Sequence, residues 1–179
     1  MPGDEVAVIA SGSLPELRAE TAEDEEFLFT LYASTRAQEL ALTNWSDEQK
    51  TQFCRQQFSA QTIHYRQHNP AAQFSVILRD GARAGRLYVT RKEGKIHIID
   101  ISLLPEHRGA GLGTLLLRDL QAEAAHANQP LSIYVEKFNP ALRLYQRLGF
   151  CPKRDEGVYL LMEWRSEQTA PVDRLDPVD

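Results

Sequence analysis

Three glycines stand at alternate positions in the stretch Arg108-Gly109-Ala110-Gly111-Leu112-Gly113-Thr114. The apolar run over residues 96–104 precedes them and an amphipathic run follows, so the loop falls between a strand and a helix. In that setting backbone N–H groups converge and the helix dipole favours an anion, which makes phosphate binding the natural use. A P-loop requires GxxxxGK followed by Ser or Thr, and no lysine lies near these glycines. A dinucleotide loop, GxGxxG counted from Gly109, requires glycine where Thr114 stands. It also opens a βαβ unit, whereas the strands before this loop are hairpin-linked.

Strands and helices can be read on either side of the loop. Residues 17–20 form a short strand, and Thr21 caps a helix whose first turn holds Glu23, Asp24, Glu25 and Glu26. Acidic groups there complement the helix dipole, so the run is structural rather than catalytic. Phe27, Leu28, Leu31 and Tyr32 give that helix one apolar face. A linker is expected over 36–45, with Glu39 and Trp45 overhanging a cleft. The capping-box pattern Ser46-Asp47-Glu48-Gln49 starts a second helix that continues towards His68. Three strands follow, over 73–79, 84–91 and 95–104, separated by the turn dipeptides Asp80-Gly81 and Glu93-Gly94.

After the glycines, Leu112, Leu115, Leu116, Leu120 and Ala124 recur at helical spacing, giving a helix to about Ala127. A strand over 131–136 comes next. Asn139 and Pro140 start a helix that Gly149 closes, and a final strand spans 158–164. The order β-α-α-β-β-β-α-β-α-β predicts an α/β (α+β) fold, a mixed, mostly antiparallel central sheet with helices on both faces. A flexible leader is expected over 1–13, one domain over 14–165 and a disordered tail over 166–179.

Composition narrows the function. The chain has 179 residues, enough for one core, and its 42% hydrophobic and 25% charged content is that of a globular protein. A net charge of −5 argues against nucleic acid as a partner and weakly favours a cationic or amine one. Cys54 and Cys151 are far apart, with no CxxC and no histidine at ligand spacing, so reduced thiols and no metal are expected. Met1-Pro2-Gly3-Asp4-Glu5 lacks a basic leader region, and the apolar run over 6–10 is too short for a membrane span. The expected location is the cytoplasm, with no membrane partner.

The pattern Arg108-x-x-Gly111-x-Gly113, preceded by a strand and Pro105, resembles the acetyl-CoA motif of the GNAT superfamily of N-acetyltransferases. The stretch from Ile133 through Asn139 to Tyr145 and Leu148-Gly149-Phe150 resembles the superfamily's other cofactor segment, in the correct order. The resemblance implies acetyl-CoA as co-substrate, with the amides from Gly109 to Thr114 cradling its pyrophosphate. It implies a bulged strand end at Leu103 and Leu104, where backbone groups pair with the pantetheine arm and one amide polarises the thioester. Asn139 would contact the cofactor too, although helix capping explains it equally well. Tyr145 is implied as proton donor to the departing sulfur, against the reading of an aromatic that only packs.

Two residues compete as general base. His97 falls eleven residues before Arg108, where related histone acetyltransferases have glutamate and arylalkylamine acetyltransferases histidine. Asp100 is a carboxylate inside an apolar run, which asks for a reason: a base, an anchor for acceptor amines, or a partner for an arginine such as Arg86. Strand alternation places His97 and Asp100 on opposite faces unless a bulge intervenes. Glu136 is a further acceptor contact or a solvated charge. The expected reaction is acetyl transfer to a primary amine of a small molecule or peptide by direct attack in a ternary complex. The alternative is a non-catalytic acyl-CoA sensor, and homodimer formation is left open.

Overall fold

The computed structural model describes residues 14–166. Its elements are β1 (Glu16–Ala19), a 3-10 turn (Ala22–Asp24), α1 (Glu25–Ala41), α2 (Asp47–His68), β2 (Gln73–Arg79), β3 (Ala82–Lys92) and β4 (Lys95–Leu103). A second 3-10 turn (Pro105–His107), α3 (Leu112–His126), β5 (Leu131–Glu136), α4 (Leu142–Arg147), β6 (Cys151–Glu156) and β7 (Tyr159–Trp164) complete them. The strands form one sheet in the order β1-β2-β3-β4-β5-β7-β6. Only β4 and β5 run parallel, joined by the crossover through α3.

The sheet separates two cores. Under α3 and α4, strand alternation buries Ile77, Leu87, Val89, Ile96, Ile98, Leu131, Ile133 and Met162 against Leu116, Leu117 and Leu120. Each such side chain stabilises the fold by about 1.5–3 kcal/mol when fully buried. On the other side, Leu28, Leu31, Tyr32 and Leu40 of α1 pack with Cys54 and Phe58 of α2. Of the acidic run, Glu25 and Glu26 lie in the first turn of α1, and Glu23 and Asp24 lie in the 3-10 turn before it. Asp24 is fully buried and binds Arg18 at 2.8 Å and Arg83 at 2.9 Å. The Arg18 guanidinium holds its carboxyl far below the usual range despite burial.

Four expectations need correction. Helix α1 runs through Arg36 and Glu39 to Ala41, so the linker is only the five residues before α2. Arg36 pairs with Glu39 at 3.0 Å one turn on, and Leu40 is buried, which keeps the segment helical. Strand β6 has no counterpart in the sequence reading: every residue of Cys151–Glu156 is exposed, so it carries no apolar alternation, and its proline and charges suit a sheet edge. Helix α4 starts at Leu142 rather than at Asn139-Pro140. Finally, the register of β3 on β4 shifts, pairing Tyr88 with Asp100 and Val89 with Ile98 and leaving Ile99 unpaired. This bulge lies at Ile99, inside β4, not at Leu103 and Leu104. The leader at 1–13, and the expected tail beyond Ser166, lie outside the described residues.

Candidate active site

Strands β4 and β5 pair only over Ile96–Ile98 and Leu131–Ile133. Beyond those residues they part, and the edge of β4 from Ile99 to Leu103 has no strand beside it. Amides along a strand point alternately to its two edges. The Leu104 N–H donates to the Ala84 carbonyl of β3 at 2.9 Å, so the Leu103 N–H points the other way, into the gap. Of the two leucines, Leu103 therefore has the available amide and Leu104 does not. The Leu103 carbonyl accepts from Arg108 Nε at 2.8 Å, and Arg108 also donates to Ser34 Oγ of α1 at 3.3 Å. Arg108 thus ties the glycine loop to the open end of β4.

In the loop, Gly109 and Gly111 adopt φ of 73° and 83°, the left-handed region that glycine enters without penalty. A Cβ added at either would meet nothing within 4 Å. No side chain caps α3, and the first intrahelical donor outside the loop is Leu115, whose N–H reaches the Gly111 carbonyl. The amides of Leu112, Gly113 and Thr114 are left without helical acceptors, as at any helix start. Open space beside the N–H groups of a helix start fits a pyrophosphate. Ala110 is exposed there, while the Leu112 side chain is buried in the core and only its amide faces the loop.

Tyr145 is buried on α4, edge-on to Phe150 at 5.7 Å. Among the described residues its hydroxyl has no hydrogen-bond partner. Burial, and then the negative charge of Asp100, push its phenol well above the ordinary value, so it stays protonated. Tyr145 belongs to the core under α3 and α4, whereas Asp100 bonds to Tyr65 of α2 on the other face of the sheet. Asn139 accepts from the Ala141 N–H through Oδ1 at 2.9 Å, an Asx turn leading into α4, and among the described residues its amide nitrogen makes no such bond.

The bulge at Ile99 changes which side chains of β4 share a face. Tyr88 and Thr90 share a face of β3, so their partners Asp100 and His97 share a face of β4. The two remain in separate surroundings. His97 Nδ1 lies 2.9 Å from Ser132 Oγ and its ring is edge-on to Tyr134. Burial, with Lys95 and Lys92 adding to it, lowers its pKa to about 4. Asp100 Oδ2 accepts from Arg86 at 2.7 Å and from the Tyr65 hydroxyl at 3.1 Å, while Oδ1 accepts from Ser102 Oγ at 2.6 Å. Arg86 is 3% exposed and also donates to Gln61 at 2.7 Å; among the described residues its buried Nε has no partner. The pairing with Arg86 is thus realised. Ser102, Tyr65 and Gln61 do not stand out in the sequence. Gln61 and Tyr65 are four apart on a polar helix, a spacing that puts them on one face but carries no sign of what that face meets.

Glu136 accepts from the Tyr159 hydroxyl at 3.3 Å, and Trp45 packs edge-on against Phe53 at 5.3 Å. A separate cleft of about 480 Å³ lies between α1, α2 and β3, lined by Glu20, Leu28, Phe58, Thr62, Ile63 and Tyr88 among others. None of its lining residues belongs to the glycine loop, the gap or α4. Among the described residues no cluster of three His, Cys, Asp or Glu side chains is placed to hold a metal ion, and no helix is long and apolar enough to cross a membrane.

Residues 30–150, more than half of the chain, match the acetyltransferase (GNAT) family, and the chain belongs to that family. No curated protein matches it in sequence. Its fold is similar to that of PaiA N-acetyltransferase from Thermoplasma acidophilum in complex with coenzyme A, at 21% identity and a TM-score of 0.65, covering 86% of this chain and 100% of that one. It is similar to an acetyltransferase from Thermus thermophilus, with 18% identity, a TM-score of 0.62 and coverage of 86% and 98%. A GCN5-related N-acetyltransferase from Rhodopseudomonas palustris gives 18%, 0.62, and 87% and 98%.

Proposed function

We propose that the protein transfers the acetyl group of acetyl-CoA to a primary amine of a small molecule or peptide, by direct attack in a ternary complex in the cytoplasm. The observation that carries this reading is the parting of β4 from β5 after Ile98 and Ile133, beside the glycine loop and α4. The amides from Gly109 to Thr114 hold the pyrophosphate, and Asn139 adds a donor at the mouth. The thioester supplies an activated acyl carbon, and the Leu103 N–H polarises its carbonyl as charge develops on oxygen. The C–N bond forms as the C–S bond breaks, Tyr145 supplies a proton to the leaving sulfur, and the proton that the amine gives up passes to solvent water, from which Tyr145 is reprotonated. Tyr145 suits this because burial keeps it a phenol. Neither cysteine is needed as a nucleophile: Cys54 is buried between α1 and α2, and Cys151 lies on the edge strand.

A second reading, an acyl-CoA sensor without turnover, draws support from the bases. His97 is a weak base at a pKa of about 4, and Asp100 is already ion-paired. Free-thiol release from acetyl-CoA across a panel of primary amines separates the two. The enzyme reading expects release with at least one amine, a kcat about 10²-fold lower in Tyr145→Phe, and an unchanged KM for acetyl-CoA. Tight CoA binding by the wild type with no thiol release from any amine establishes the sensor instead.

A further inference from the structure

Resting on the acyl-transfer reading above, we infer that the Ser102 hydroxyl receives the acceptor amine, taking an N–H of the neutral nucleophile on its oxygen and aiming the nitrogen lone pair at the acyl carbon. Ser102 is the residue before Leu103, whose amide points into the gap, and it lies beyond Ile98, the last residue of β4 paired to β5. It shares a face with Asp100, two residues earlier, away from the core under α3 and α4. It is half-buried, so substrate can reach it.

The hydrogen bonds fix what Ser102 can offer. Ser102 Oγ donates to Asp100 Oδ1 at 2.6 Å, which consumes the one hydrogen of its hydroxyl. Among the described residues Ser102 Oγ has no other partner, and its lone pairs are left to face a donor. An incoming group must therefore bring a hydrogen-bond donor, which an amine bearing N–H does and a tertiary amine or carboxylate does not. Tyr65 and Arg86 hold Oδ2 of Asp100, so the carboxylate cannot rotate and the hydroxyl orientation is set before substrate arrives.

The Arg86 ion pair explains why a carboxylate can stand this close to the nucleophile. A lone carboxylate would bind the acceptor as its ammonium, which has no lone pair to attack with. Arg86, almost completely buried at 2.7 Å, cancels that charge. The pair orients Ser102 without favouring the protonated amine. In this assignment Ser102 touches the substrate, whereas Asp100 and Arg86 act through it as positioning residues.

The test uses saturating acetyl-CoA and three probe amines: methylamine, benzylamine and a glycine-terminated tripeptide. Ser102→Ala should lower kcat/KM for the amine by about 10-fold or more, with KM for acetyl-CoA unchanged, and Ser102→Thr should recover most of the loss. Ser102→Cys, whose sulfur accepts poorly, carries the same expectation as Ser102→Ala and serves if the alanine variant does not fold. Amine kinetics in both variants within about twofold of wild type, or a loss confined to KM for acetyl-CoA, overturns the inference alone. Failure of the wild type to release thiol with any of the three amines overturns the acyl-transfer reading and this inference with it.

Discussion

Gly85 of β3 and Ser102 of β4 approach so closely that a Cβ on Gly85 would lie 2.1 Å from the Ser102 carbonyl oxygen and 2.9 Å from Leu103 Cδ2. The obstacle is largely backbone, so no side-chain rotation relieves it. Any substitution at Gly85 must push away the stretch of β4 that carries Ser102 and the Leu103 amide. Gly85→Ala is expected to cost about 1–3 kcal/mol of stability, as overpacking does. In the protein that remains folded, kcat should fall more than the affinity for CoA, because the glycine loop proposed to hold the pyrophosphate lies elsewhere. Urea denaturation beside steady-state kinetics checks both, and an alanine variant with wild-type kcat would show that the end of β4 does not hold the reacting groups.

Gly113 makes the opposite case. It is helical, and a Cβ there would meet only Leu144 Cδ2, at an ordinary 3.6 Å. The fold therefore does not require glycine at this position, and Gly113→Ala should leave the melting temperature unchanged or raise it, since alanine is favoured over glycine in helices by up to about 1 kcal/mol. If the cofactor lies against the amides of this turn, the added methyl occupies its space. Calorimetric titration with CoA should then give an affinity reduced about 10-fold or more with stability intact. Unaltered affinity would place the pyrophosphate elsewhere.

These two glycines mark the limit of what the sequence makes legible. Gly113 stands out because its spacing from Gly109 and Gly111 forms a pattern along the chain. Gly85 belongs to no such pattern, and its constraint arises from a strand 17 positions later crossing at close range. The same division holds elsewhere. Helix α2 is bounded by Ser46 in the sequence because a cap is local, and the hairpins can be placed because Asp80-Gly81 and Glu93-Gly94 are turn chemistry. Strand β6 leaves no mark because an exposed edge strand of Pro, Lys, Arg, Asp and Glu has no buried face to impose period two. The bulge at Ile99 is invisible in a run of Ile, His, Ile, Ile, Asp, where either parity reads as a strand. That one extra residue decides which face His97 shares with Asp100 and Ser102. Local patterns such as the glycine spacing are thus readable, whereas the face that His97, Asp100 and Ser102 share depends on register.

His97 gives a prediction with a definite sign. Burial, with Lys95 and Lys92, lowers the imidazole from an ordinary 6.5 to about 4 in the fold. In the unfolded chain the ring titrates near its ordinary value, so between these limits the unfolded state binds a proton that the folded state refuses. The resulting stability is fully present above pH 6.5 and is lost as pH falls towards 4, at up to about 1.4 kcal/mol per pH unit. Over pH 6.5 to 4.5 this one group should remove on the order of 2 kcal/mol. Urea midpoints at a series of pH values for wild type and His97→Gln provide the comparison. The difference between the two proteins should be constant above pH 6.5 and change steadily in favour of the glutamine variant below it. Parallel curves throughout would mean that the ring is not held neutral. A residue with so low a pKa also makes a poor base at neutral pH, so the pH dependence of kcat/KM should be the same in His97→Gln as in wild type, whereas a lost or displaced acidic limb in the variant would return the role of base to His97.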